Sequence, residues 1–281
     1  MKIGVSSYSF QRLMTSGQLT QKQTIKAAKD LGFDGIEFSS IRPEEGYTER
    51  EYAKLLAEEA AAQEMPIINF CVPGDCVNRD PDEEITRLKG LVDIAEILGA
   101  PSMRHDVMPG YGRYRTFPEA LPTLARVCRE VTEYAQTKGI RTMVENHGRV
   151  FQGSARVEAL IAAVNHPNFG LLLDMGNFLC ADENPVEACG SVAHLAFHLH
   201  AKDFIVKSGA EANPGEGFFA TRNGNYLRGT IVGHGNVPVY HCIRIMKNAK
   251  YDKYLSIEFE GIEDNLNALR IGLANLKNYC Q

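Results

Sequence analysis

Eight short runs dominated by apolar residues punctuate the chain, at positions 2–7, 34–39, 66–71, 101–105, 140–145, 169–174, 195–200 and 254–259. Between them, apolar residues recur at helical spacing and polar residues fill the remaining positions. Strand side chains alternate in direction while helical ones repeat every 3.6 residues, so the two spacings predict strands and helices taking turns. That alternation favours a parallel sheet with crossover helices, and eight strands is the number that closes a (β/α)8 barrel. The expected fold is an α/β TIM barrel.

Local signals point the same way. Thr20 with Gln23, and Thr48 with Glu51, have the spacing of capping boxes, and Asp80 precedes a first-turn proline, Pro81. Leu31-Gly32-Phe33, Leu98-Gly99-Ala100 and Lys138-Gly139-Ile140 read as helix, glycine stop and strand. No linker, charge block or repeat breaks the rhythm, so residues 1–281 are expected to form one domain. The exception is the segment from about 204 to 234, where Asn213-Pro214-Gly215, Asn223-Gly224-Asn225 and Gly233-His234-Gly235 predict a long irregular loop. Following a seventh strand, it would lie over the C-terminal mouth of the barrel as a lid.

Composition then narrows the function classes. Hydrophobic residues at 44% and charged ones at 23% describe a globular chain able to bury a large core. The net charge of −5 argues against a nucleic-acid partner, because phosphate binding wants a basic face. The seven cysteines are odd in number and lack zinc-site spacing, so reduced thiols are expected. With no long apolar span and no signal-like segment, the expected compartment is the cytoplasm, without a membrane partner.

Four of the strand-like runs finish on a residue that can bind a divalent cation: Glu145, Asp174, His200 and Glu258. Alternation sets His198 and His200 opposite Leu199, Ser256, Glu258 and Glu260 opposite Ile257, and Glu145 and His147 opposite Val144. Polar groups turned into a barrel are costly unless paired or metal-bound, and strand C-termini form the mouth where active sites of this fold sit. Three carboxylates and one imidazole suit Mn²⁺ first, with Mg²⁺ or Co²⁺ as alternatives. Glu260 is the alternative fourth ligand. His105, ending the fourth run, is read either as a substrate contact or as locally hydrogen-bonded. Lys202 could neutralise an oxyanion or pair with a neighbouring acid, and His198 reads as a core histidine. The chain has no tryptophan, so any aromatic platform for a ligand would come from Tyr8, Phe10 or Phe70.

Val144-Glu145-Asn146-His147, Leu173-Asp174-Met175-Gly176-Asn177, His200-Ala201-Lys202-Asp203 and Leu255-Ser256-Ile257-Glu258 carry a wider resemblance. Together with Gly32-Phe33-Asp34-Gly35-Ile36-Glu37, they make the chain resemble the xylose-isomerase-like barrel superfamily, in its group of sugar phosphate isomerases and epimerases. The resemblance implies that Glu145, Asp174, His200 and Glu258 hold one cation and that Glu145 and Glu258 act on the substrate. It implies further that His147 contacts a substrate oxygen and that Glu37 lies in the pocket. Many ketose 3-epimerase relatives carry a histidine three residues after the strand-six aspartate, where this chain has Asn177.

These residues favour a metal-dependent isomerase or epimerase of a ketose or related carbohydrate. The cation would polarise a carbonyl, while a glutamate removes the neighbouring proton to give an enediolate. A lyase or dehydratase, such as a 3-oxo-glycoside-cleaving enzyme, shares the first half of that reaction, and Asn177 leaves room for it. An endonuclease IV-like repair enzyme would want three zinc ions, more strand-end histidines and a basic groove. The surface helices are compatible with a homo-oligomer without specifying one.

Overall fold

A computed structural model describes residues 1–281. Its strands are β1 (Lys2–Ser6), β2 (Gly35–Ser39), β3 (Ile67–Val72), β4 (Ser102–His105), β5 (Arg141–Glu145), β6 (Phe169–Asp174), β7 (Ala196–Ala201), β8 (Asp203–Lys207), β9 (Phe219–Ala220), β10 (Tyr226–Thr230) and β11 (Tyr254–Ile257). Eight of them close a barrel in the order β1-β11-β7-β6-β5-β4-β3-β2, and every barrel pairing is parallel. This is the expected (β/α)8 architecture. Each barrel strand lies within one or two residues of its predicted run.

Two of the three expected N-terminal signals cap their helices directly, while Thr20 and Gln23 exchange capping-box bonds in the turn before Gln23–Leu31. Thr48 caps Glu49–Ala62 in a full capping box, accepting from the Glu51 N–H while the Glu51 carboxylate accepts from the Thr48 N–H. The Asp80 carboxylate accepts from the N–H groups of Asp82 and Glu83 ahead of Pro81–Leu98. Gly32 and Gly99 end their helices in the left-handed conformation, which only glycine adopts without steric cost.

The main apolar cluster lies between the barrel and its helices, with Val5, Ile36, Phe38, Phe70, Val144, Leu171, Leu173, Leu199 and Leu255 all buried on the outward faces of the strands. Inside the barrel the apolar filling is small: Cys71, Met143 and Leu172, with Phe197 packed against them. The remaining interior is polar, and that is where the chemistry collects. Of the aromatic platform candidates, Phe10 and Phe70 are fully buried in the core, and Tyr8 lines the cleft at the C-terminal mouth of the barrel.

Residues 204–234 hold more regular structure than their glycines predict. β8 and β10 pair antiparallel over Asp203–Lys207 and Tyr226–Thr230, and β9 adds to the outer edge of β10. The expected irregular loop is thus a small antiparallel sheet, starting one residue after β7 ends. Glycines 215, 217, 224 and 233 occupy its turns with positive φ, which explains the composition that suggested irregularity. No helix of the chain is long and apolar enough to cross a membrane.

Candidate metal centre and active site

Four neighbouring barrel strands deliver one candidate ligand each. Glu145 and Asp174 are the last residues of β5 and β6, His200 is the penultimate residue of β7, and Glu258 directly follows β11. Asp174 and Ser256 both stand in register with His200. The Glu258 N–H donates to the Ala201 carbonyl at 3.1 Å, which carries the ladder far enough to fix the fourth carboxylate. Ligand atoms of Glu145, Asp174, His200 and Glu258 lie within 4.8 Å of one another.

The backbone around Asp174 is pinned. Its N–H donates to Asn146 Oδ1 at 2.9 Å and its carbonyl accepts from Asn146 Nδ2 at 2.9 Å. Asp174 Oδ1 accepts from the N–H groups of Gly176 and Asn177 at 2.7 and 2.8 Å. Gly176 has to be glycine, because a Cβ there would come 2.7 Å from the Lys202 carbonyl oxygen. These bonds occupy Oδ1 and leave Oδ2 turned toward His200.

The donor set fits a divalent cation on one specific count. His200 Nδ1 and Asp174 Oδ2 are both buried and without any hydrogen-bond partner. They face each other at 3.7 Å, and Glu258 Oε2 and Glu145 Oε1 stand 3.6 and 3.9 Å from the same nitrogen. Orphaned buried polar atoms are rare, and a cation among these four would satisfy both.

The opposite nitrogen of His200 is held from below. Its Nε2 lies 2.5 Å from Glu37 Oε1, and Glu37 Oε2 lies 3.2 Å from His198 Nε2 and accepts from Asn69 Nδ2 at 3.2 Å. Burial pushes the Glu37 carboxyl up, but the two imidazoles outweigh it and hold the group far below the usual carboxylate range. Glu37 is therefore a support for the imidazole, with His200 standing between it and the carboxylates. A carboxylate behind a ligating histidine orients the ring and fixes its tautomer.

Above the ligands lies a cleft of about 400 Å³ lined by Tyr8, His147, Asn177, Lys202, Phe219 and Glu260. Lys202 Nζ sits 2.6 Å from Glu258 Oε2, 3.5 Å from Asp174 Oδ2 and 3.6 Å from Glu260 Oε2. Burial works against its charge, yet Asp174 and Glu258 overcome this and keep it firmly protonated. Asn177 bridges the site, donating to Glu145 Oε1 at 2.9 Å and accepting from Lys202 at 3.2 Å. His147, half exposed at the rim, pairs through Nδ1 with Asp106 Oδ1 at 2.9 Å. Burial lowers the affinity of His147 for a proton, but Asp106 and Glu145 raise it further, so the net shift is upward.

Residues 25–279 match the family described as the xylose isomerase-like TIM barrel. The chain belongs to that family. It is 25% identical over 152 residues to an inosose dehydratase of Clostridium botulinum (strain Alaska E43 / Type E3), covering 53% of this chain and 50% of the relative. The chain thus spans about half the length of the curated relatives it matches. Among solved structures, the IolI protein with a bound zinc atom superposes with a TM-score of 0.78 at 18% identity, covering 100% of this chain and 98% of that one. D-psicose 3-epimerase of Clostridium cellulolyticum H10, solved with D-tagatose, gives 0.76 at 14% identity over the full length of both chains. At these identities the structural likeness speaks for the fold.

Within this member of the xylose isomerase-like family, the geometry distributes the sequence-derived residues unevenly. Glu145, Asp174, His200 and Glu258 converge, Lys202 and His147 border them, and Glu37 lies beneath. Glu260 stays in the cleft wall, outside the four-residue group. His105 does not join them: it is fully buried on the outward face of β4, with Nδ1 3.0 Å from the Asp106 carbonyl oxygen. Its strand neighbour Arg104 faces inward instead. Arg104 Nε donates to Glu145 Oε2 at 2.6 Å, a second guanidinium nitrogen reaches the same oxygen, and a third lies 3.3 Å from Asp106 Oδ1. Sequence reading passed over Arg104 by taking the last residue of the run. Met103, an apolar residue that must face the helices, would have identified Arg104 as the inward position.

Proposed function

We propose that the chain is a divalent-metal-dependent isomerase or epimerase of a ketose or related carbohydrate, working by removal of a proton next to a carbonyl. The observation that carries this reading is the pair of glutamates flanking His200 Nδ1 at 3.9 and 3.6 Å, each with its own counter-charge, Arg104 on Glu145 and Lys202 on Glu258. Glu145, Asp174, His200 and Glu258 would hold the cation, which when bound supplies a Lewis acid for the substrate carbonyl. Mn²⁺ remains the first choice for this oxygen-rich set, and the zinc of the IolI structure makes Zn²⁺ a necessary comparison.

The protein's own groups do the proton work. One of Glu145 and Glu258 accepts the proton next to the carbonyl and the other returns one, to the opposite face of that carbon or to its neighbour. Lys202, fixed on Glu258 and open to the cleft, supplies positive charge for an oxygen that becomes anionic during transfer. His147, held by Asp106, donates to a substrate hydroxyl at the rim. Tyr8 and Phe219 give the cleft its aromatic walls.

A second reading, dehydration, has an observation of its own. His147 is paired with Asp106 and its pKa is raised, which suits a general acid that protonates a departing hydroxyl. The curated relatives are inosose dehydratases, and this supports the same outcome.

Proton exchange in D₂O, followed by NMR with Mn²⁺-loaded enzyme and a panel of ketoses, 3-oxo-glucosides and an inosose, tests the proposal. Exchange at the carbon beside the carbonyl is expected, reduced by about 10²–10⁴-fold in Glu145→Gln and in Glu258→Gln. An epimer or shifted carbonyl as product supports the first reading, and loss of water supports the second. Exchange that survives both substitutions overturns the role given to the glutamates.

A further inference from the structure

The opposite end of the barrel has a second cavity, of about 430 Å³, far from the strand ends that carry the four ligands. Its wall comes from the N-terminal ends of the strands. Lys2, Ser102, Arg141 and Tyr254 begin β1, β4, β5 and β11, and Phe197 and His198 stand near the start of β7. Three cations line it, Lys2, Arg141 and Lys253, against one acid, Asp252. None of the three takes part in an ion pair, and all three stand exposed at the rim of the cavity.

The cations are held over aromatic rings instead. The Arg141 guanidinium lies 4.9 Å and the Lys253 ammonium 5.2 Å from the centre of Phe197, and Lys2 stands 5.6 Å from the centre of Tyr254. Aromatic faces position a positive group without neutralising it. Lys253 loses some of its proton affinity, first through burial and then through its neighbour Arg141, with Asp252 opposing the change. In a chain of net charge −5, an unpaired cationic cluster around a cavity calls for a ligand.

The floor of the cavity adds directional groups. His198 is 4% exposed and commits Nε2 to Ser256 Oγ at 2.9 Å and Glu37 at 3.2 Å, which leaves Nδ1 as its free ring nitrogen. Ser102, also buried, donates to Asn69 Oδ1 at 2.8 Å. Both side chains connect through Glu37 and Asn69 to His200, so the cavity and the metal ligand share one hydrogen-bonded network.

We propose that this cavity binds a small organic anion, an apolar body ending in a carboxylate or a phosphate, with the anionic oxygens on Arg141 and Lys253 and the body against Ile68, Phe197 and Tyr254. The volume suits a molecule of that size. The site lies outside the metal centre and needs no part of the reaction proposed above.

Saturation-transfer NMR on the full chain, with benzoate, phenyl phosphate and neutral benzyl alcohol as probes, tests it. At least one anion is expected to bind at millimolar concentration or better while benzyl alcohol does not. Comparing the two anions tells which oxygen chemistry the site prefers. In the double variant Arg141→Gln, Lys253→Gln the Kd should rise by about tenfold or more, the loss of charge-assisted bonds. Both positions are exposed, and an unchanged thermal melt confirms that the variant is folded. The single variant Lys2→Gln should weaken the same anion in the same direction. Binding of neither anion, equal binding of benzyl alcohol, or undiminished binding by the double variant overturns the proposal.

Discussion

Arg104 gives Glu145 a counter-charge that does not titrate in the working pH range, and Asp106 sits on the far side of the same guanidinium. Removing it leaves a buried carboxylate without its partner, and breaking one side of a buried pair costs about 3–5 kcal/mol. Arg104→Met should therefore lower unfolding stability in urea by roughly 3 kcal/mol, most strongly in metal-free protein. Asp106 adds a pH signature. Burial raises its carboxyl, but Arg104 and then His147 outweigh this and set it at about 2, below its ordinary 3.8. A depressed carboxylate stabilises the fold fully above its unfolded pKa, and that contribution fades as pH falls through the folded value. Asp106 should contribute on the order of 2 kcal/mol at neutral pH. Asp106→Asn should flatten the loss of stability between about pH 4 and about pH 2, measured as urea midpoints. At this scale the convergence of the four residues was legible because strand alternation alone turns His200 and Glu258 inward. The Glu37–His198–His200 contact was not, because it joins residues 163 positions apart across the barrel and depends on how the strands are staggered.

The antiparallel excursion of β8, β9 and β10 is anchored at a single carboxylate. Asp203 accepts from the N–H groups of Phe204, Gly233, Gly235 and Val237, all between 2.9 and 3.0 Å. This ties the return of the excursion, after β10, to its beginning. Gly235 packs so close that a Cβ would lie 2.2 Å from Asp203 Oδ1 and 2.5 Å from the Phe204 carbonyl oxygen. Gly235→Ala should push the turn off the carboxylate, at a cost of about 1–3 kcal/mol for overpacking. Faster limited proteolysis within residues 208–225 would report it, and cleavage at the wild-type rate would count against Asp203 as the anchor. The barrel strands were readable within a residue or two because each is a compact apolar run, followed in every case but β7 by a helix. β8 was not: Phe204, Ile205 and Val206 follow β7 after only Asp203 and Lys202, and a glycine-rich stretch comes next. Cross-strand pairing with Tyr226–Thr230, rather than local preference, makes that segment a strand.

On the scale of the whole molecule, four strands that are far apart in sequence meet at a cluster of three carboxylates, and the fold has to hold those charges together. Lys202 and Arg104 offset part of the repulsion, and a bound cation would offset more. Whatever binds the folded state alone stabilises it by mass action, about 2.7 kcal/mol at a hundredfold excess over Kd. For a chain of this size, such a gain raises the melting temperature by roughly 5 °C. Mn²⁺ or Mg²⁺ should therefore raise the melt of the wild-type protein, and a chelator should reverse the rise. Asp174→Asn separates a metal site from a purely structural carboxylate cluster. The amide oxygen keeps the bonds from the Gly176 and Asn177 N–H groups, while the change removes one of three like charges and one ligand. The variant should gain nothing from added cation, and loss of the buried Lys202 contact should set its own melting temperature below the metal-free wild type. A variant that still responds to Mn²⁺ as the wild type does would make Asp174 a structural residue and move the cation elsewhere.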